Sequence, residues 1–418
     1  MERAGRAGIR AVTAGTVDLH RMLRRDLRPR LLAAALLIAP LFVFSLINFV
    51  VPVCMILFQS VDDTAIGTVL VRTLPAIAAW DGTGTPDEAV YRAMYDDFRD
   101  AKTARTVTIV ATRLNAVAPG YQALVNATAR RITGANPSSA KTTLIDIDAH
   151  WGDTDTWSAI RSMSGLPFTA MHLLRAVDAT VARGSIASVP ESQRIFATLW
   201  LRTFLVSLVV TVLCAMLGYP LAYVMANARP RVANVLLILV LLPFWTSLLV
   251  RSMAWVALLQ TQGVVNNLFL ALHLTTERLP LIRNRLGVII AMVHVLLPYM
   301  VLPLYGVMKR VPPNAMRAAL SLGADPVRAF VKVYLPQTLH GVGSGAVLVF
   351  VLAVGFYVTP ALVGGRNDQM ISYFIAYFMN ESSNWNQAAA LSLLLLLFTG
   401  AAYLVITSVF RVNRVAIR

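Results

Sequence analysis

The stretch N-A-M-R-A-A-L-S-L-G-A-D-P-V-R-A-F-V-K-V-Y-L-P, residues 314–336, is a short amphipathic segment between two long apolar runs. Its pattern predicts two helices folded about Gly323, because glycine is favoured where a helix end requires a positive φ. Asp325 followed by Pro326 is typical of a new helix start, with aspartate as N-cap and proline in the first turn. We expect Leu335 and Pro336 to end this second helix.

The second helix of the segment also has an apolar face. Arg328 and Lys332 share its polar side, and the apolar positions recur at intervals of three and four residues. They are Val327, Phe330, Val331 and Tyr334. A helix–glycine–helix with one apolar face, placed between apolar runs, predicts a segment that docks into a partner.

Composition places the chain in the membrane class. It has 418 residues, 57% of them hydrophobic, and its mean hydropathy is +0.64. These values exceed those of an ordinary soluble globule. The net charge of +16 could indicate nucleic acid, but the basic residues flank apolar runs and form no stripe with aromatic residues between them. We therefore expect a lipid bilayer as partner and no nucleic acid.

Several chemistries are absent from the sequence. The two cysteines, Cys54 and Cys214, lie in apolar runs, so we predict no disulfide framework and no metal site. None of the four lysines follows a glycine, which excludes the lysine of a P-loop. No arrangement of nucleophile and base indicates catalysis. The prediction is a chain with no catalytic residue and no cofactor of its own, so that any ATP is used by a partner.

Six apolar runs are each long enough to cross about 30 Å of hydrocarbon. They are residues 31–58, 198–225, 233–259, 286–308, 339–363 and 388–410. A basic tail precedes them. The predicted organisation is tail 1–30, span 31–58, insertion 59–194, a core over 195–412 with the segment 312–336 inside it, and tail 413–418.

The insertion, residues 59–194, is polar and nearly neutral. It carries 14 acidic and 13 basic residues, frequent turn sequences and enough aromatic residues for a small core. These features predict a folded, mostly helical region on the outer side of the membrane. Two roles stay open: a lid or spacer over the outer face, or a contact surface for a substrate-binding protein.

The distribution of Lys and Arg predicts the orientation. Tails and loops on one side carry eighteen of these residues, whereas the short loops on the other side carry four. Large translocated regions do not follow the positive-inside rule, so the insertion is left out of the comparison. Both termini and the segment 312–336 are therefore expected in the cytoplasm.

The 314–336 stretch resembles the EAA loop of ABC importer permeases. The resemblance implies that the loop couples the spans to a separate ATPase dimer. It rests on spacing, and Arg317 stands where the family usually has glutamate. We therefore expect the ATPase to offer an acidic or neutral surface there. The implied coupling residues are Arg317, Ala318, Ala319, Gly323, Asp325, Phe330, Val333, Leu335 and Pro336.

Other stretches are similar to spermidine/putrescine-type permeases of the PotB class. The similarity covers the first span and about residues 196–412. It is carried by G-Y-P-L-A at 218–222, L-P-F-W-T at 242–246, Arg251, L-P-Y…L-P-L-Y at 297–305 and Y-V-T-P-A-L-V-G-G at 357–365. It implies an all-α integral membrane protein with the six helices of the type I ABC importer fold, interrupted by the insertion. It also implies a second permease subunit and a periplasmic binding protein.

Candidates for lining a translocation pathway are Trp245, Arg251, Tyr299, Tyr357 and Thr359, close to prolines and glycines that interrupt spans. Core packing or an interfacial aromatic belt is the alternative for the aromatic residues. The spans after the insertion hold no Asp or Glu, which argues against a gradient-driven secondary transporter. A membrane scaffold is a third hypothesis.

The resemblance suggests a polyamine as the transported solute. Arg251, the plainest charged candidate in the spans, would suit an anionic group better. Relatives in the wider family carry iron(III), sulfate, phosphonates or opines, so an anionic or amino-acid-like solute is the alternative.

Overall fold

The computed structural model describes residues 33–34, 36–117, 120–132, 137–165, 168–182, 185–189, 191 and 194–410. The predicted tails 1–30 and 413–418 lie outside these residues. The chain forms two compact units, which divide after Phe58. The first contains all but the last residue of helix α1 (Leu36–Gln59), an apolar helix with a π-helical stretch at Leu46–Val50. The second contains everything from Gln59 onward.

The second unit is built of helices and one β-hairpin. The insertion contains α2 (Thr64–Val69), α3 (Thr73–Ala78), α4 (Glu88–Ala104), α5 (Val107–Val117), α6 (Tyr121–Arg131), α7 (Ala140–Ile147), α8 (Thr154–Arg161), α9 (Met171–Arg175), β1 (Ala179–Ala182) and β2 (Ser185–Ser188). The core contains α10 (Phe196–Asn227), α11 (Pro230–Leu241), α12 (Leu248–Leu259), α13 (Val264–Ala271), α14 (Arg285–Met308), α15 (Pro313–Ser321), α16 (Pro326–Gly355), α17 (Val358–Val363), α18 (Ile371–Asn380) and α19 (Trp385–Val409).

Six helical segments of the described residues are long and apolar enough to cross a membrane. They are α1, α10, α12 with α13, α14, α16 and α19. The predicted class, an all-α membrane protein with six spans and a mostly helical insertion after the first, is confirmed. The antiparallel hairpin of β1 and β2 was not predicted.

The third predicted span, residues 233–259, is wrong as one helix. Helix α11 ends at Leu241 and passes through a 3₁₀ turn, Leu242–Trp245, into extended backbone. Pro243 has no N–H for a continuing helix, and the Ser247 hydroxyl accepts a hydrogen bond from the Val250 N–H, which starts α12. The segment of spanning length is instead Leu248–Ala271.

The fifth predicted span, residues 339–363, is displaced toward the N-terminus. Helix α16 ends at Gly355, and α17 is a separate short helix that packs against α12. The expectation that Leu335 and Pro336 end the hairpin helix is also wrong. A π-helical turn, Phe330–Tyr334, carries the helix past them, because Pro336 needs no N–H partner and the wider turn before it makes room for its ring.

Helices α10, α14 and α16 form the centre of the core. Small residues let these helices approach closely, as is usual in membranes, where the hydrophobic effect does not drive helices together. A Cβ on Gly345 would lie 2.6 Å from the Met300 sulfur, and one on Gly218 would lie 3.1 Å from the Met300 Cγ. Met300 itself is fully buried. A larger residue at Gly345 would press on both the side chain and the backbone of Met300, whereas one at Gly218 would require the Met300 side chain to shift by a few tenths of an ångström.

The insertion has an aromatic core of its own. Tyr91, Phe98, Trp151 and Trp157 are fully buried, and their polar atoms are paired. The Tyr91 hydroxyl and the Trp157 Nε1–H both donate to the Trp151 carbonyl, at 2.6 and 2.8 Å. The Trp151 Nε1–H donates to Thr128 Oγ1 at 2.8 Å. This satisfied network explains how a polar segment of this length folds compactly.

Hydrogen bonds fasten the insertion to the core at its C-terminal end. The buried Asp178 carboxylate accepts from the backbone N–H groups of Ile195, Phe196 and Ala197 at the start of α10. The Trp200 Nε1–H donates to the Ala176 carbonyl at 2.8 Å. We call these contacts of Ala176 and Asp178 with the first two turns of α10 the insertion junction.

Candidate coupling hairpin and pathway

The turn between α15 and α16 is closed by two backbone hydrogen bonds. The Gly323 N–H donates to the Leu320 carbonyl at 3.0 Å, and the Ala324 N–H donates to the Ala319 carbonyl at 3.1 Å. This is the Schellman arrangement, which places its C′ residue in the left-handed region. Gly323 has a φ of +87°, as the sequence predicted. We call α15 with the first nine residues of α16, Pro326–Tyr334, the coupling hairpin.

The second helix of the coupling hairpin is capped as predicted. The Asp325 carboxylate accepts from the Arg328 N–H at 2.9 Å and lies 3.0 Å from the Arg328 Nε. Pro326 occupies the first turn. Because these contacts are local, they fix the direction in which the chain enters α16 but do not attach the hairpin to the spans.

Four aromatic rings make that attachment. Phe330 packs edge-on against Tyr223, with ring centroids 5.6 Å apart, and stacks on Tyr334 at 5.6 Å. Tyr334 is buried and packs against Tyr223 at 5.3 Å. Tyr219, one turn before Tyr223 on α10, contacts Phe330 and hydrogen-bonds to Thr338 of α16 at 2.9 Å. These rings join the hairpin to the end of α10.

The predicted apolar face is therefore divided. Phe330 and Tyr334 point to the chain's own spans, whereas Val327 and Val331 are exposed, by 71% and 49%. Leu322, at the turn, is 89% exposed. Of the other predicted coupling residues, Arg317, Ala318 and Pro336 are exposed, and Ala319, Val333 and Leu335 are half-buried. The hairpin thus presents an apolar tip with a basic residue beside it.

The predicted pathway residues fall at separate places. Thr359 of α17 is fully buried and hydrogen-bonds at 2.9 Å to Ser252 of α12, the residue that follows Arg251 in the chain. Tyr299 packs edge-on against Phe244, with centroids 5.1 Å apart. Trp245 and Tyr357 are exposed, by 79% and 46%.

Arg251 stands out among these residues. Its Nε and Nη1 atoms are buried, and neither has a hydrogen-bond acceptor within the described part of the chain. One turn on, the Trp255 Nε1–H donates to His294 Nδ1 at 3.1 Å, so the remaining proton of that ring is on Nε2. The sequence did not predict the pairing of Trp255 with His294, because no local pattern links these two residues. A buried guanidinium without an acceptor requires a partner of complementary chemistry.

Comparison with known proteins assigns the family. Residues 218–416 match the model of the binding-protein-dependent transport system inner membrane component. The spermidine/putrescine transport system permease protein PotB of Escherichia coli K12 is 32% identical over 199 residues, 48% of this chain and 72% of the relative. The chain belongs to this permease family. Its members are transport subunits, so this permease is not an enzyme.

Two further relatives show the breadth of the permease family. PotB of Haemophilus influenzae is 32% identical over 185 residues, which span 44% of this chain and 65% of the relative, slightly less than two thirds. The molybdenum transport system permease protein ModB of Mycobacterium bovis is 30% identical over 246 residues, 58% of this chain and 90% of the relative. The family match begins at residue 218, after the insertion.

Proposed function

We propose that this permease forms part of the translocation pathway of an ATP-driven importer and is moved by a separate ATPase dimer through the coupling hairpin. The other half of the pathway comes from a second permease subunit. A periplasmic binding protein delivers the solute from the outer side. The E. coli and H. influenzae relatives are named as parts of a transport system, which supports this assembly.

The observation that carries the proposal is the mechanical continuity of the hairpin with the spans. Helix α16 runs without interruption from Pro326, in the hairpin, to Gly355. The ring cluster about Phe330 joins the same hairpin to α10. A displacement of the exposed tip is therefore transmitted to two spans at once, which is what alternating access driven from outside the membrane requires.

The distribution of charge supports a cytoplasmic hairpin. Lys309, Arg310, Arg317, Arg328 and Lys332 lie in or just before it, whereas the described loops at the opposite ends of the spans carry few basic residues. The insertion is joined to the core at the N-terminus of α10, which is the end of that span opposite the hairpin. It then lies in the periplasm of a bacterial inner membrane, with both termini in the cytoplasm.

For the solute we propose a polyamine such as spermidine or putrescine, because two relatives of this permease carry those solutes in their names. Arg251 favours a second class, since its buried N–H groups would bind an anionic group. Uptake of labelled spermidine into vesicles that contain the whole importer, in competition with unlabelled polyamines or with molybdate, separates the two. If that uptake requires ATP and is inhibited by vanadate, a gradient-driven transporter is excluded.

The coupling role is tested by Gly323→Pro. Proline fixes φ near −65° and has no N–H for the bond to Leu320, so the hairpin must change direction. We expect insertion into the membrane to be unchanged and ATP-dependent uptake to fall roughly tenfold or more, the equivalent of about 1.4 kcal/mol. The measurement is uptake per molecule of permease in the vesicle membrane.

Gly306→Ala is the matched control, because Gly306 lies in α14 and a Cβ there meets no atom within 4 Å. It should transport like the unmodified chain. Normal uptake by Gly323→Pro would show that the hairpin does not couple the spans to the ATPase.

A further inference from the structure

A polar cleft lies between the insertion and the outer ends of the spans. It has two adjoining compartments, of about 570 and 370 Å³. Both are lined by Thr108 and Thr112 of α5 and by Ser383 and Asn384 before α19. Because they share these four residues, the compartments are parts of one elongated cleft. Its volume is in the range of sites for small ligands.

Two buried side chains in this cleft have polar atoms without partners. His172 lines the smaller compartment and Gln387 the larger one, and each is 3% exposed. The side chains of His172 and Gln387 are close enough to interact with each other, but neither ring nitrogen of His172 nor the amide nitrogen of Gln387 makes a hydrogen bond of normal distance and angle among the described residues. Since buried polar groups are nearly always paired, these atoms indicate a site for a hydrogen-bonding solute.

The charges of the cleft leave one carboxylate available. In the larger compartment, Asp178 accepts three backbone N–H groups, and the Arg175 guanidinium donates to the Asn115 carbonyl at 3.0 Å. In the smaller compartment, Asp63 and Arg113 neutralise each other in a buried pair. Glu381 lines the larger compartment, is exposed, and has no ion-pair partner among the described residues. The hydrogen bond to a carbonyl leaves the charge of Arg175 uncompensated, but the lining of the two compartments holds three carboxylates and two guanidinium groups, so its net charge is negative.

The protonation state of His172 also determines which solutes the cleft favours. Burial lowers the pKa of His172 to about 4, and the nearby positive charge of Arg113 acts in the same direction. At neutral pH the ring is uncharged, so one nitrogen carries a lone pair that accepts a hydrogen bond. A carboxylate in one compartment and a lone pair in the next both favour N–H donors.

We propose that this cleft binds a small solute with an ammonium group and at least one further N–H donor. Glu381 holds the ammonium group in the larger compartment, and His172 accepts from the second nitrogen in the smaller one. Binding in the cleft does not depend on the proposed import function. Only its role does, which is to hold the solute at the outer face before it enters the spans.

The test is equilibrium binding of labelled putrescine to the full-length permease in lipid nanodiscs, without the ATPase. Glu381→Gln removes the carboxylate and should weaken binding about tenfold or more, because charge-assisted hydrogen bonds are among the strongest. His172→Phe removes both ring nitrogens and should weaken it severalfold. Glu277→Gln is the matched control, since Glu277 is an exposed carboxylate of the α13–α14 loop that does not line the cleft.

Weakening by Glu381→Gln with normal binding by Glu277→Gln supports the site. Equal binding by all variants, equal losses at Glu381 and Glu277, or no binding of putrescine at all would each overturn it. Transport is measured separately with the whole importer. Uptake that persists while Glu381→Gln leaves binding unchanged refutes the cleft and keeps the proposed function, whereas absence of uptake in the presence of cleft binding refutes the function and keeps the cleft.

Discussion

Helix α10 is held at each end by a different kind of contact. At its N-terminus the insertion junction uses a buried carboxylate that accepts three backbone N–H groups, together with an indole hydrogen bond. At its C-terminal end the coupling hairpin uses Tyr219, Tyr223, Phe330 and Tyr334, which contact one another through their ring faces and edges.

The two kinds of contact differ in how strictly they fix the geometry of the groups that they join. Hydrogen bonds to a buried carboxylate have strict geometry, so the insertion junction holds one arrangement. Aromatic contacts keep much of their energy when rings slide or tilt, so the hairpin can change its angle without detaching. We therefore expect the insertion to keep one arrangement on α10 and, under the proposed coupling role, the hairpin to be the part that changes its angle.

The largest effect is expected at the insertion junction. Asp178→Ala leaves three N–H groups of the first turn of α10 without their acceptor and removes a favourable charge at a helix N-terminus. We expect the insertion to lose about 3 kcal/mol of stability. Thermal unfolding followed by the fluorescence of Trp151 and Trp157, both in its core, measures this loss.

Asp146→Ala is the control for Asp178→Ala, because Asp146 is an exposed carboxylate of the insertion on α7. It should unfold at the same temperature as the unmodified chain. A similar small change in both variants would mean that packing, and not the carboxylate, holds the insertion to α10.

A smaller loss is expected at the hairpin. Phe330→Ala removes the ring that contacts Tyr219, Tyr223 and Tyr334, at a cost of about 2 kcal/mol for a half-buried site. ATP hydrolysis by the assembled importer should continue, whereas uptake per ATP should fall. Val327→Ala, on the exposed side of the same helix, should leave the chain's own stability unchanged. Uptake per ATP at the normal ratio in Phe330→Ala would contradict the aromatic linkage.

The smallest effect concerns pH. His172 has a pKa of about 4 in the folded chain and 6.5 as its ordinary value, so the unfolded state binds more protons as the pH falls. Lowering the pH from 7 to 6 should therefore cost the insertion about 0.7 kcal/mol, and more below pH 6. The charged groups near this ring are Asp63, Arg113 and Arg175.

His172→Phe should remove this part of the pH dependence, as measured by the unfolding temperature of the insertion at pH 7 and 6. The contacts of the coupling hairpin are made by uncharged rings, so we expect their stability to be the same at pH 7 and at pH 6. An unchanged pH dependence in the variant would place the titrating group elsewhere.

Much of the fold could be predicted because apolar length and helix caps are local properties. Gly323 and Asp325 adopt the predicted conformations, since a Schellman turn and an N-cap depend on residues within a few positions. The failures concern proline. Pro243 was predicted to lie within a span and interrupts it, whereas Pro336 was predicted to end a helix and is accommodated by a π-helical turn. Such outcomes depend on backbone relaxation that a sequence does not specify.

The sites show the same division. The apolar face of the hairpin was predicted from its pattern, but the pattern did not show that Val327 and Val331 would be exposed while Tyr334 is buried. The partnerless nitrogens of His172 and Arg251 depend instead on which helices surround them, and residues from distant parts of the chain form those surroundings. The cleft unites α5, α9 and the segment before α19, and no local pattern links these elements.

The π-helical turn at Phe330–Tyr334 sets the azimuth of the exposed tip about the axis of α16. A π turn holds one residue more than an α turn, and one residue rotates an α-helix by about 100°. With regular α geometry there, Val327 and Leu322 would face another direction relative to the span that follows. A single residue in the turn thus determines which side of the fifth span the apolar tip faces.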